Sequence, residues 1–158
     1  MTETNNLEFQ ARRLLKQRGV TVEDIAELVY FLQKDYVAQL TLADCIESVE
    51  SVLSKREVHH TIITGIQLDI SAEQGQLLSP LQEIIAQDEG LYGIDEILAL
   101  SIVNVYGSIG FTNYGYIDKV KPGILAKLNE HNGHDIHTFL DDIVGAIAAA
   151  AASRLAHQ

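Results

Sequence analysis

Residues 21–32, TVEDIAELVYFL, and residues 41–53, TLADCIESVESVL, decide the fold. Each opens on a threonine with an aspartate three positions later, the pattern of an N-terminal capping box, in which hydroxyl and carboxylate satisfy amides that a helix start leaves free. Val22, Ile25, Leu28, Val29 and Leu32 then recur at the spacing of one helix face, as do Leu42, Cys45, Ile46, Val49, Val52 and Leu53. Two amphipathic helices follow, and Gly19 ends a third before them. Cys45 lies inside the second apolar stripe, so a packed core thiol is expected.

Helical periodicity continues outward from this pair, and strand-like alternation is nowhere convincing. Ile62, Ile63, Ile66 and Ile70 mark an apolar side between Val58 and Leu78. Ser79 and Pro80 read as an N-cap and first helical residue, with Gln82 completing the box of a short helix that runs to about Gln87. From Asp95, Ile97, Leu98, Leu100, Ile102, Val103 and Val105 make a helix apolar nearly all round, which predicts a central, buried position. Pro122 starts another short helix that stops near Asn132 and Gly133. Thr138 opens the last, whose small side chains from Ala146 to Ala152 let a second helix approach closely, in the same chain or a neighbouring subunit. The expectation is a single all-α domain over residues 1–158, a compact bundle of about seven or eight helices, with residues 1–57 as an N-terminal layer and 58–158 as the core.

The chain has 158 residues, enough for one domain. Twenty-two Asp and Glu against 11 Lys and Arg give a net charge of −11, which argues against nucleic acid as a partner. The first residues lack the basic and apolar regions of a secretory signal, and the single cysteine fits a reducing compartment, so the expected location is cytoplasmic. The apolar stretch from Ile143 to Ala152 falls short of the ~20 residues a spanning helix needs.

Six acids differ from the solvated ones. Asp69, Asp95, Glu96, Asp118, Asp141 and Asp142 are each embedded among apolar residues, and burying those flanks carries carboxylates inward, where an unpaired charge is costly. Two readings stand side by side. Asp95, Glu96, Asp141 and Asp142 fall at the starts of helices, where acids favour the helix dipole and free N–H groups. Alternatively the acids converge on Mg²⁺, a hard cation that takes carboxylate oxygens and is completed by water and substrate phosphate. Adjacent acids on a helix point about 100° apart, so each pair offers one inward ligand. His131, His134 and His137 form an H-x-x-H-x-x-H run whose spacing matches no closed zinc site, and it reads as a solvated loop. No nucleophile elbow, phosphate loop or basic aromatic patch occurs.

GIDEILA, then YGYIDKVKPGI, then FLDDIVGAIAAAA resemble the phosphatidylglycerophosphatase A family, whose members share a D-E-[apolar]-x-G type block, an F-R-x-x-D-x-x-K-P block and a D-D-[apolar]-x-[AG]-G type block in that order. The blocks fall at Asp95 and Glu96, at Asp118, Lys121 and Pro122, and at Asp141, Asp142 and Gly145, and coverage runs from about Thr61 to Ala152. The resemblance implies a Mg²⁺-dependent phosphomonoester hydrolase that converts phosphatidylglycerophosphate to phosphatidylglycerol. On that reading Asp95, Glu96, Asp141 and Asp142 hold Mg²⁺ or another divalent cation, and Asp142 belongs to the catalytic group. Asp118 ligates metal or handles a proton, and Lys121 contacts a phosphate oxygen. Attack comes from a metal-activated water or from an aspartate through an acyl-phosphate. The substrate is a phosphorylated glycerolipid or another anionic phosphomonoester, with at most peripheral contact at the inner face of the membrane.

Two departures set alternatives beside this. The early P-G-T-x-G-S block of membrane members has no counterpart, and the arginine of F-R-x-x-D falls on Gly115. A non-catalytic helical oligomer that retains the fold, or a phosphatase for a soluble phosphomonoester, are the other readings. The alanine face and the apolar helix after Asp95 also point to a homodimer or homotetramer.

Overall fold

In the computed structural model, which describes residues 3–130 and 135–157, the chain forms α1 (Glu3–Gln17), α2 (Val22–Gln33), α3 (Leu42–Leu53), α4 (Arg56–Glu73), α5 (Leu81–Ala86), α6 (Ile94–Val103), α7 (Ser108–Val120), α8 (Ile124–Leu128) and α9 (Thr138–Ala156). A 3-10 turn at Asn104–Tyr106 joins α6 to α7. Nine α-helices and no strand among the described residues make the protein all-α. The count exceeds the expected seven or eight because the last two-thirds of the chain is cut into shorter helices than its periodicity suggests.

Both capping boxes form. The Thr21 hydroxyl accepts from the Asp24 amide at 3.1 Å and the Asp24 carboxylate from the Thr21 amide at 2.9 Å, and Thr41 and Asp44 repeat this at 3.1 and 3.0 Å. Gly19, at φ +85°, ends α1 in the left-handed region, where a side chain would be strained. The expected box at Ser79 does not form. The helix begins one residue later, Ser79 donates to Glu83, and the Gln82 amide turns back to bridge the Leu77 N–H and the Ala72 carbonyl at the end of α4. Two backbone groups freed where α4 stops take the side chain that the box would have used.

The centre of the bundle is α9, and not the helix after Asp95. Every residue from Thr138 to Ser153 is buried, with α2, α3, α4, α6 and α7 packed around it. Alanine side chains let helices approach closely, and here Ala146 to Ala152 are all buried, so the small-residue face is used up inside the chain. Ser48 donates to the Ala151 carbonyl at 2.8 Å and Ser153 to the Tyr106 carbonyl at 2.9 Å, which satisfies the hydroxyls held there. α6, by contrast, turns Ile94 and Ile97 outward, 53% and 63% exposed, while burying Asp95, Ala99, Ile102 and Val103. An all-apolar sequence marks a helix as adaptable and leaves open which face meets the core. α1 lies outside, on α4, and α2 pairs with α3. Cys45 is fully buried, and burial pushes its thiol up to about 11.

At Gly65, α4 packs closely against α9. A Cβ there would stand 2.3 Å from Ile143 Cδ1 and 3.1 Å from Phe139 Cβ. No helix among the described residues is long and apolar enough to cross a membrane.

Candidate active site

One end of the bundle gathers five of the six embedded acids. α6 brings Asp95 and Glu96 in its first turn, α7 brings Asp118 in its last, and α9 brings Asp141 and Asp142 one turn from its start. Asp95, Asp141 and Asp142 are buried, Asp118 half-buried and Glu96 exposed.

Lys121 ties two helices together. It closes α7 with a left-handed backbone, φ +50° and ψ 57°, and from there its ammonium donates to Asp118 Oδ1 and to Asp141 Oδ2, each at 3.1 Å. Burial pulls Lys121 toward the neutral form, but Asp141 and Asp118 together outweigh it and raise its pKa, so it stays charged. The carboxyl of Asp141 is pushed up to about 6, because burial exceeds what Lys121 gives back. Its second oxygen, Oδ1, is buried without a hydrogen-bond partner.

Asp142 and Asp95 form the second unit. Their carboxyls lie within hydrogen-bonding reach, and burial, that bond and the charge of Asp141 push Asp142 strongly upward. Two carboxylates this close cannot both stay ionised in a buried setting without something positive between them. The Tyr114 hydroxyl is buried beside Asp142 without a well-formed hydrogen bond, and burial followed by the Asp142 charge raises it far above the usual phenol range. Glu96 is raised by burial and by the charges of Asp118 and Asp95, which places its carboxyl at the rim of the same group.

The donor set is all carboxylate oxygen, without thiol or imidazole, and contains a buried orphan oxygen and a carboxylate pair in need of a proton or a cation. That fits a hard divalent ion. Among the described residues no three Asp, Glu, His or Cys side chains close into a metal cage on their own. Few protein ligands, with the remaining positions left to water and phosphate, is how Mg²⁺ is usually held.

Asp141 lies in the first turn of α9, as the helix-start reading expects, but no side chain of α9 itself caps that start. The residue before it, His137, makes no side-chain cap, and neither Asp141 nor Asp142 turns to the helix start. The free amides of Phe139 and Leu140 donate instead to Asp69 of α4, at 2.9 to 3.2 Å. Asp69 therefore stands apart from the other five acids. Of the histidine run, His131 and His134 lie outside the described residues, and His137 Nδ1 is 3.4 Å from Arg18. A recess of about 20 Å³ beside Asp141, also lined by Asp88, Asn129 and His137, reaches this end of the bundle. A wider cavity of about 480 Å³ runs between α1 and α4 past Arg13 and His60, away from the carboxylates. Of the five gathered acids only Asp141 lines the small recess.

Sequence reasoning missed Tyr114, Arg18 and Glu73. Tyr114 stands at the aromatic position of the F-R-x-x-D block and could have been found there. Arg18 and Glu73 are 55 residues apart, and no local pattern links them.

A helical bundle whose central helix sets an Asp–Asp pair against an Asp–Glu turn and a D-x-x-K-P turn defines a class. The chain belongs to the phosphatidylglycerophosphatase A family, which matches residues 9–157 and thus takes in the second half of α1, α2 and α3 as well as the three blocks. It is 62% identical to the uncharacterized protein YutG of Bacillus subtilis over 154 residues, 98% of this chain and 93% of that one. The crystal structure of the low temperature requirement C protein from Listeria monocytogenes, 72% identical, superposes with a TM-score of 0.94 over 96% of this chain and 95% of that one. A protein of unknown function from Bacillus stearothermophilus, 70% identical, superposes at 0.93 over 95% and 93%.

Proposed function

We propose that the protein is a Mg²⁺-dependent phosphomonoester hydrolase that releases phosphate from phosphatidylglycerophosphate and leaves phosphatidylglycerol. The observation that carries this reading is the buried Asp95–Asp142 pair beside the Lys121–Asp141 bridge, in a member of a family named for that reaction. Asp95 and Asp142 hold the cation, with Asp141 Oδ1 as the next available oxygen and Glu96 at the rim. The chemistry of Mg²⁺ in such a site is neutralisation of phosphate oxygens and of the charge that develops in transfer.

The chain's own groups do the rest. Lys121 keeps its charge and sits between two helices, so a phosphate oxygen that displaces one of its carboxylates gains an ammonium without moving the backbone. Asp118, a carboxylate more exposed than Asp141, takes a proton from the attacking water, and solvent water protonates the departing glycerol oxygen as the P–O bond breaks. Water supplies the hydroxyl that ends on phosphorus. The lipid is met at the membrane surface, at the inner face, by peripheral contact.

A second reading, a phosphatase for a soluble phosphomonoester, is favoured by the absence of a membrane-crossing helix among the described residues and by Gly115, which stands where the family's F-R-x-x-D block carries an arginine. Phosphate release by the purified protein from phosphatidylglycerophosphate in detergent micelles, and from glycerol 3-phosphate, with Mg²⁺ and with chelator, decides between them. Release from the lipid alone, lost with chelator, supports the first reading. Release from both supports the second, and none from either removes the enzymatic reading.

A further inference from the structure

The start of α9, which must deliver Asp141 and Asp142 to the site, is held entirely by other helices. The amides of its second and third residues, Phe139 and Leu140, donate to both oxygens of a fully buried Asp69. One turn along α4, Glu73 accepts from the Ile136 amide at 2.7 Å. Asp69 and Glu73 are four residues apart on one helix face, so a single edge of α4 supplies consecutive anchors to the segment leading into α9. Arg18, just beyond α1, closes the arrangement. Its guanidinium donates through both terminal nitrogens to the Glu73 carboxylate, and one of them also donates to the Ile136 carbonyl at 2.8 Å. Thr138 fixes the remaining side by donating to the Ile85 carbonyl of α5 at 2.7 Å.

A buried carboxylate costs stability unless it is well used, and Asp69 is used on backbone that a local serine or aspartate at position 137 could have capped. What the trans arrangement adds is registration: the start of α9 is fixed against α4 and α1. Asp141 follows Leu140 directly, and two residues of helix span only about 3 Å along the axis. A shift at Phe139 and Leu140 passes undiminished to the carboxylates beyond them.

Resting on the reading of Asp95 and Asp142 as cation ligands, we infer that Asp69, with Glu73 and Arg18, is a positioning group for the active site. It sets the distance from Asp142 to Asp95 through the helix that carries Asp142. Asp69→Ala removes the anchor, and Asp69→Asn keeps one accepting oxygen.

The test is Mn²⁺ binding by electron paramagnetic resonance together with kcat and KM for phosphate release, on wild type, Asp69→Ala, Asp69→Asn, and Glu73→Gln as the variant least harmful to folding. Expected is a loss in Mn²⁺ affinity of about tenfold or more in Asp69→Ala, partial recovery in Asp69→Asn, a smaller loss in Glu73→Gln, and a fall in kcat with KM little changed. Variants that melt earlier yet bind Mn²⁺ and turn over like wild type when folded would overturn the inference and leave Asp69 a stabilising cap. Wild type that binds no Mn²⁺ would remove the cation site itself, and the inference with it.

Discussion

Lys121 Nζ stands 3.1 Å from Asp141 Oδ2, across the gap between the end of α7 and the start of α9, and it is the contact through which the D-x-x-K-P turn reaches the Asp–Asp pair. Lys121→Met keeps the apolar stem and removes the charge. Asp141 then loses the group that offsets its burial, and its carboxyl rises further above about 6. The expected cost is about 2 kcal/mol near neutral pH, less than for a fully buried pair because 26% of the Lys121 side chain meets water. Turnover falls about a hundredfold if Lys121 also contacts phosphate. Denaturant melts and steady-state rates on the same preparation check both effects.

The carboxyl of Asp69 sits at about 7 in the folded chain, against an ordinary value of 3.8. Burial raises it, and the Phe139 and Leu140 amides only partly oppose that. Between those two values the folded chain keeps a proton that the unfolded chain has released, so this contribution to stability is complete below about pH 4 and is lost as pH rises through about 7. Asp141, raised to about 6, acts in the same direction over a narrower window. In metal-free buffer the melting temperature is expected to decline from about pH 4 to about pH 7, and Asp69→Asn should flatten that decline. An unchanged slope in the variant would count against Asp69 as its source.

Gly65 of α4 sits in close contact with α9. Gly65→Ala puts a methyl 2.3 Å from Ile143 Cδ1 and 3.1 Å from Phe139 Cβ. The isoleucine tip can move, but the Phe139 Cβ is fixed to the helix, so a cost of about 1–3 kcal/mol is expected, seen as a melting temperature lower by roughly 5 °C. Because Phe139 also donates to Asp69, the same variant should weaken divalent-cation binding.

Gly115 offers the opposite case. A Cβ there meets nothing within 4 Å, so Gly115→Arg is accommodated without repacking and also gains helix propensity. It sets a guanidinium one turn before Asp118, within reach of an anion at Lys121. The expected result is a KM for the phosphate substrate lowered by up to about tenfold, which corresponds to ~1.4 kcal/mol, with an unchanged melting temperature.

The parts of this fold that could be read from sequence are those whose partners are neighbours in it. Thr21 with Asp24 and Thr41 with Asp44 are three residues apart, and both boxes form as expected. The embedded acids are legible in part: their apolar flanks carry Asp69, Asp95, Asp141 and Asp142 into the interior but leave Asp118 half-buried and Glu96 exposed, and five of the six lie at one end of the bundle. The central helix was not legible. An alanine-rich stretch and an isoleucine- and leucine-rich one are both compatible with burial, and only the packing of five helices around small side chains selects α9 over α6. Asp69 carries the same sequence signature as Asp95, yet its partners are amides 70 and 71 residues away, so its role as a cap in trans emerges only from the assembled fold. Gln82, with the right spacing for a box, is diverted to the end of α4 for the same reason.

The central claim is that Asp95 and Asp142 together hold a divalent cation used in phosphate release. Calorimetric titration of Mg²⁺ into wild type, Asp95→Asn and Asp142→Asn, with phosphate release from phosphatidylglycerophosphate measured on the same samples, tests it most directly. Expected are saturable binding by wild type, a loss of at least about tenfold in affinity in each variant, and phosphate release that falls with it while the helical circular dichroism is retained. Equal Mg²⁺ binding and equal phosphate release in all three proteins would contradict it.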